Sequence, residues 1–286
     1  MKKKAGIKHV VFAGGGSRCL WQAGFWEIAE SGLGIRPGIV AGVSAGSAVA
    51  CMMLSGRLKT GLEYFKRITG LNRSNFYPSR IFGKGPVFPH YDMYRSVILE
   101  TIDGAAFRKL KKGPELRILL SRPPGYLGPR SATIVGMLAY TIEKKISYPV
   151  HPVMSARLGF KPEVVSIREV DTPQELADLV LASSCTPPFV PILKWNGTVS
   201  LDGGLIDNVP IAAIDAGEMD GDVLLMLTRK YPDEKIPKIP GRIYVQPSEP
   251  IGITKWDYTS PSGLQDAYDL GRRDGEKFVK SFRGKK

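Results

Sequence analysis

Histidine and cysteine are scarce in this chain, with three of each among 286 residues. Cys19, Cys51 and Cys185 are too few, and odd in number, for a disulfide framework, so a reducing, cytoplasmic setting is expected. No spacing among these cysteines and histidines resembles a zinc site. Acidic residues are also short: 27 Asp and Glu stand against 40 Lys and Arg, a formal net charge of +13. The basic residues crowd 57–95, 108–130 and 272–286. Such charge favours an anionic partner, whether membrane surface, nucleic acid or acidic substrate, although a merely solvated face accounts for it as well. No nucleic-acid-binding motif accompanies the charge, so nucleic acid ranks below lipid.

Long apolar runs are missing too. After Lys8, only His9-Val10-Val11-Phe12-Ala13 precede three glycines, and Arg18 follows, so the basic start at residues 1–4 is not expected to head a signal-peptide core. The uncharged run 37–56 has the length of a membrane span, but Gly42, Ser44, Gly46 and Ser47 sit in its middle. A strand, a tight turn and a buried helix explain it better than a span. No repeat marks a solenoid, and a 43% hydrophobic, 23% charged composition is that of a folded chain. No composition shift marks a boundary, so residues 1–286 are expected to form a single domain.

Apolar runs at 8–13, 39–41, 116–121, 163–170, 198–201, 222–228 and 242–246 predict strands, several buried on both faces. Helical patterns at 20–30, 46–54, 91–101, 131–146, 174–182 and 264–282 fall between them. That alternation implies α/β layers around a mostly parallel sheet. Two stretches near 72–90 and 122–162 break it, being rich in Pro, Gly, aromatics and cations, and read as irregular connections or lids. Within the second, residues 131–140 are expected to face the core.

Three motifs carry chemistry. Gly42-Val43-Ser44-Ala45-Gly46 lies between a short apolar strand and a helix of small residues, the setting of a nucleophile elbow. Glycines suit a crowded turn that lifts the Ser44 hydroxyl out of the sheet, and the following helix aims its N-terminus at developing negative charge. Gly14-Gly15-Gly16-Ser17-Arg18 follows the first strand and offers backbone N–H groups to an anion. A dinucleotide loop would need a third glycine where Cys19 stands, and an acid after the second strand that is missing. An oxyanion hole fits better beside the elbow. Leu201-Asp202-Gly203-Gly204 ends an alternating strand. The serine needs a base, and His9, His90 and His151 carry no signature for it. A carboxylate bonded directly to the serine suffices if burial tunes its pKa, and Gly203 and Gly204 would bring Asp202 close.

In combination and order, these three motifs resemble the patatin-like phospholipase family. So do Ala182-Ser183-Ser184-Cys185-Thr186-Pro187-Pro188-Phe189-Val190-Pro191 and the run Asp202-Gly203-Gly204-Leu205-Ile206-Asp207-Asn208-Val209-Pro210. The resemblance implies a three-layer α/β/α fold and a lipid acyl hydrolase acting on phospholipid, lysophospholipid or related esters, without metal or cofactor. It makes Ser44 the nucleophile and Asp202 the base, with the Gly15 and Gly16 amides as oxyanion hole, assisted by Arg18. Peripheral contact with anionic membrane is expected from the charge together with lipid chemistry.

Cys19 departs from the family, which usually has glycine there: it either strains the oxyanion loop or starts a helix in an ordinary conformation. Three rival readings stand beside the hydrolase. They are an α/β-hydrolase with a Ser–His–Asp triad using His90 or His151, a catalytically silent lipid-binding or scaffold protein of the same fold, and a nucleotide-binding oxidoreductase.

Overall fold

The computed structural model describes residues 6–284; the basic start at 1–4 and the last two lysines lie outside the described residues. In chain order the strands are β1 (Ile7–Phe12), β2 (Ile39–Val43), β3 (Glu115–Arg122), β4 (Lys161–Ser166), β5 (Leu193–Trp195), β6 (Thr198–Asp202), β7 (Asp222–Met226) and β8 (Arg242–Val245). The helices are α1 (Leu20–Leu33), α2 (Ala45–Ser55), α3 (Leu58–Leu71), α4 (His90–Thr101), α5 (Gly104–Lys112), α6 (Pro129–Ile146), α7 (Met154–Arg157), α8 (Pro173–Ser183) and α9 (Pro261–Gly284).

The sheet runs β5-β6-β3-β2-β1-β7-β8, with β4 paired to β3. Its centre, from β3 to β8, is parallel; β4, β6 and β5 are antiparallel additions. Alternation explains the continuous apolar runs. Val10, Phe12, Leu224 and Met226 enter a large core with α1, α2, α4, α8 and α9, while Val11, Ala13, Val223 and Leu225 enter a second core on the other face. That second face is covered by the 3-10 turn Ile211–Ala213 and the chain around Val209 and Tyr231, with α6 over a third cluster that holds Ala132, Phe160, Leu201 and Leu205. Helical layers on both faces of a mostly parallel sheet make the expected three-layer α/β/α fold. Among the described residues no helix is long and apolar enough to cross a membrane.

The connections differ in places from the sequence reading. The predicted strand 163–170 stops at Ser166, because a capping box between Ser166 and Glu169 turns Ile167–Glu169 into a 3-10 helix. The stretch 72–90 is irregular, with one 3-10 turn at Pro78–Arg80, whereas most of 122–162 is ordered as α6 and α7. Only one side of α6 faces the core: Ala132, Gly136 and Ala139 are buried, while Ile134 and Leu138 are exposed. A helix packed on the outside of the sheet buries one face, so the segment is core on one face only.

Candidate active site

Ser44 is the one residue between the end of β2 at Val43 and the start of α2, with Gly42 the last but one residue of the strand and Gly46 in the first helical turn. Its backbone is held at φ 52° and ψ −137°, a conformation that a residue with a Cβ rarely adopts. The turn is anchored from behind. Ser44 N–H donates to Ser183 Oγ at 2.9 Å, and the Ser183 hydroxyl donates to Leu119 O at 2.6 Å. The N-terminus of α2 therefore begins beside the Ser44 side chain, where its dipole favours negative charge.

Asp202 arrives at Ser44 through the sheet register. Val43, the last residue of β2, pairs with Leu119 of β3, and Asp202 of β6 pairs with Leu120. Since β4 already runs along the opposite edge of β3, β6 occupies the edge that β2 vacates when it turns at Ser44. Gly203 permits this approach: a Cβ there would lie 2.2 Å from Leu119 O and 2.7 Å from Val43 Cγ2. The Gly204 N–H donates to Asp202 Oδ1 at 2.7 Å and fixes the carboxylate. Burial pushes the Asp202 carboxyl above the usual range, while the Gly204 N–H, the Ser44 hydroxyl and the charge of Lys255 favour the ionised form and pull it partly back.

The glycine loop is held at both ends and open in the middle. Gly14 N–H donates to Asn208 O at 3.0 Å, and Gly14 O accepts from Asn208 Nδ2 at 3.0 Å and Thr228 Oγ1 at 2.6 Å. Ser17 N–H donates to Lys255 O at 3.1 Å. Between them, the amides of Gly15 and Gly16 have no acceptor among the described residues, and both glycines line the cavity that holds Ser44. Gly16 has φ 58°, and a Cβ there would lie 2.1 Å from Lys255 O, so only glycine fits. Free amides beside a serine hydroxyl are what a tetrahedral oxyanion requires.

Cys19 settles into the second of its two expected conformations. At φ −63° and ψ −13° it begins α1 without strain, its thiol contacting Ala13 O at 3.5 Å. Burial raises the Cys19 thiol pKa above its ordinary value and so disfavours the thiolate. Arg18 does not line the cavity with Ser44; its guanidinium stands among Arg229, Tyr148 and Tyr140, and its Nε is buried without a partner.

The cavity encloses about 460 Å³ and contains Ser44, Asp202, Gly15 and Gly16. Among the described residues Asp202 is the sole carboxylate lining it, against four cations: Lys144, Lys145, Arg229 and Lys255. Arg229 is 8% exposed, donates to Tyr140 OH at 2.9 Å, and leaves its Nε unpaired. Burial, then the charges of Arg229, Lys255 and Arg18, bring the Lys144 ammonium down to about 7. Lys255 is lowered likewise by burial and by Arg229 and Arg18. Such a cluster, without matching carboxylates, gives the cavity wall a positive potential that attracts anions.

Among the described residues no histidine lines this cavity. His9 meets Asp220 at 3.1 Å, His90 meets Trp256 O at 2.8 Å, and His151 lies between Asp207 at 3.0 Å and Tyr244 OH at 3.0 Å. Among the described residues no group of three His, Cys, Asp or Glu side chains could hold a metal ion. Sequence reading left Asn208 without a role, although it lies in the quoted Asp-Gly-Gly run. The cations Lys144, Arg229 and Lys255 were invisible there, because nothing in their spacing brings them together.

A family model described as Patatin-like phospholipase matches residues 10–215. No curated protein matches the chain. The crystal structure of VipD from Legionella pneumophila is similar at 14% identity with a TM-score of 0.49, over 96% of this chain and 67% of that one.

Proposed function

The chain belongs to the patatin-like phospholipase family and is a lipid hydrolase of that general class; on that premise we propose that Ser44 and Asp202 form its catalytic dyad, acting on acyl esters of phospholipids. The observation that carries this reading is the register that sets Asp202 in the sheet position beyond Val43, next to the strained Ser44 turn and two unoccupied amides.

Asp202 takes the proton of Ser44 Oγ as the oxygen attacks the ester carbonyl. The Gly15 and Gly16 amides hold the resulting oxyanion, each strong donor worth about 3–4 kcal/mol. Collapse expels the alcohol, which recovers the proton from Asp202 and leaves Ser44 acylated. Water then attacks the acyl group with Asp202 again as base, and the fatty acid departs. A raised carboxyl pKa suits this work, since a more basic carboxylate is a better proton acceptor once ionised. Lys144, Arg229 and Lys255, with Arg18 behind them, supply the charge to hold a phosphate diester. We further read the chain as one domain that works peripherally at anionic membrane in a reducing compartment, in keeping with its net charge of +13.

Hydrolysis of a panel of p-nitrophenyl esters and lysophospholipids tests the dyad. Activity in the native protein, lost in folded Ser44→Ala and Asp202→Ala, is expected. Full activity in either variant overturns the assignment, and an inactive native protein with intact lipid binding favours the silent-scaffold reading.

A further inference from the structure

Helix α6 exposes four large aliphatic side chains one turn apart: Ile134 at 61%, Leu138 at 56%, Ile142 at 46% and Ile146 at 79%. An i, i+4 spacing stacks them into one continuous stripe. The opposite side of the helix is occupied, with Gly136 against Phe160 and Leu205. The side in between belongs to the cavity: Met137, Tyr140, Thr141, Lys144 and Lys145 line it together with Ser44. At about 100° per residue, Thr141 and Lys145 fall between the stripe and the cavity wall, so the apolar surface borders the cavity mouth.

The charges on this helix all have one sign where they meet solvent. Its one acid, Glu143, is buried and accepts the amides of Val153 at 2.9 Å and Met154 at 2.8 Å. Arg130, Lys144 and Lys145 carry the rest of its charge. We propose that the Ile134–Leu138–Ile142–Ile146 stripe is the surface on which the protein docks to an anionic phospholipid bilayer, laying the cavity mouth against the lipid. The aliphatic side chains enter the acyl boundary while the flanking cations meet phosphates. The inference rests on the hydrolase reading of the adjoining cavity, and it identifies the surface that delivers substrate to it. A bilayer fits this surface better than a protein partner does, because a protein seated there would stand at the entrance that lipid must use.

The test is co-sedimentation with vesicles of equal phosphatidylglycerol and phosphatidylcholine, compared between native protein and the triple variant Ile134→Gln, Leu138→Gln, Ile142→Gln. Glutamine is a good helix former at exposed positions, so α6 is expected to persist. The variant should bind vesicles about a hundredfold more weakly, yet hydrolyse a soluble monomeric short-chain ester at the native rate. Ser44→Ala should bind vesicles like the native protein. Equal vesicle binding by native and triple variant overturns the proposal, as does a native dimer in sedimentation velocity that the triple variant dissociates, which would make the stripe a contact between copies. Loss of docking by design with ester hydrolysis intact supports the inference alone. Absence of ester hydrolysis in a native protein that still docks counts against the hydrolase reading and leaves the docking surface standing.

Discussion

Asn208 and Gly14 hold each other across 194 positions of chain, the glycine amide donating to the Asn208 carbonyl and the asparagine amide donating back to the Gly14 carbonyl, each at 3.0 Å. This two-way clamp locks the loop after β1 to the loop after β6, and so fixes the free amides of Gly15 and Gly16 relative to Asp202. A mispositioned donor is costly because oxyanion stabilisation depends on donors being in place before charge develops.

Replacing Asn208 with alanine should therefore lower kcat about ten- to a hundredfold with little change in KM, because loop position rather than substrate binding is lost. Steady-state kinetics on a soluble ester checks this, and Thr228→Val, which removes the other bond to Gly14 O, should act in the same direction.

Asp202→Asn should abolish hydrolysis and raise the melting temperature. The folded-state pKa of this carboxyl is raised by burial above its unfolded value, so native protein favours the protonated form. Stability is then lost as pH rises past the unfolded pKa, and at neutral pH the buried charge is a burden that asparagine removes. Thermal unfolding of both proteins at pH 7 measures the difference.

Activity on an uncharged soluble ester should fall on the acid side with an apparent pKa above the ordinary carboxylate range, since Asp202 must be ionised to act as base. Affinity for an anionic phospholipid should show a further step near neutrality. Lys144 is lowered to about 7, so it is charged below that pH and loses its charge above it, and KM should rise as pH increases through this region. The step should vanish in Lys144→Met.

At pH 6, Lys144→Met should cut kcat/KM for a phospholipid about ten- to a hundredfold, the worth of one charge-assisted contact. Turnover of a neutral p-nitrophenyl ester should be unaffected. A matched loss on both substrates would show that the lysine supports the cavity rather than the phosphate.

Cys19→Ala should retain native activity, and the native protein should resist thiol alkylation without loss of function. The thiol is buried, its pKa is raised, its backbone is helical, and its hydrogen-bond acceptor, Ala13 O, also accepts from Gln22 Nε2 at 3.0 Å, so the glycine loop should keep its position without the sulfur.

Much of this was legible along the chain. The continuous apolar runs around Val10 and Leu224 announce strands buried on both faces, and Gly42-Val43-Ser44-Ala45-Gly46 announces a turn too crowded for larger residues. Such signals are local: periodicity and backbone sterics act over a few residues, so the sequence carries them openly. The elbow, the glycine loop and the Asp202 turn could be recognised as parts for this reason, and the family match over residues 10–215 spans all three.

Their assembly is another matter. Only strand register sets Asp202 one pair beyond Val43, only the α6 packing leaves its aliphatic stripe in solvent, and only the return of the chain past residue 215 brings Thr228 to Gly14 and Arg229 and Lys255 to the cavity. Charges and hydrogen-bond partners gathered from distant segments leave no period and no motif, because their proximity is created by packing. The sequence alone thus determined which chemistry the chain carries, and the tertiary structure decided what that chemistry faces: a cationic cavity wall on one side of α6 and an apolar surface on the next.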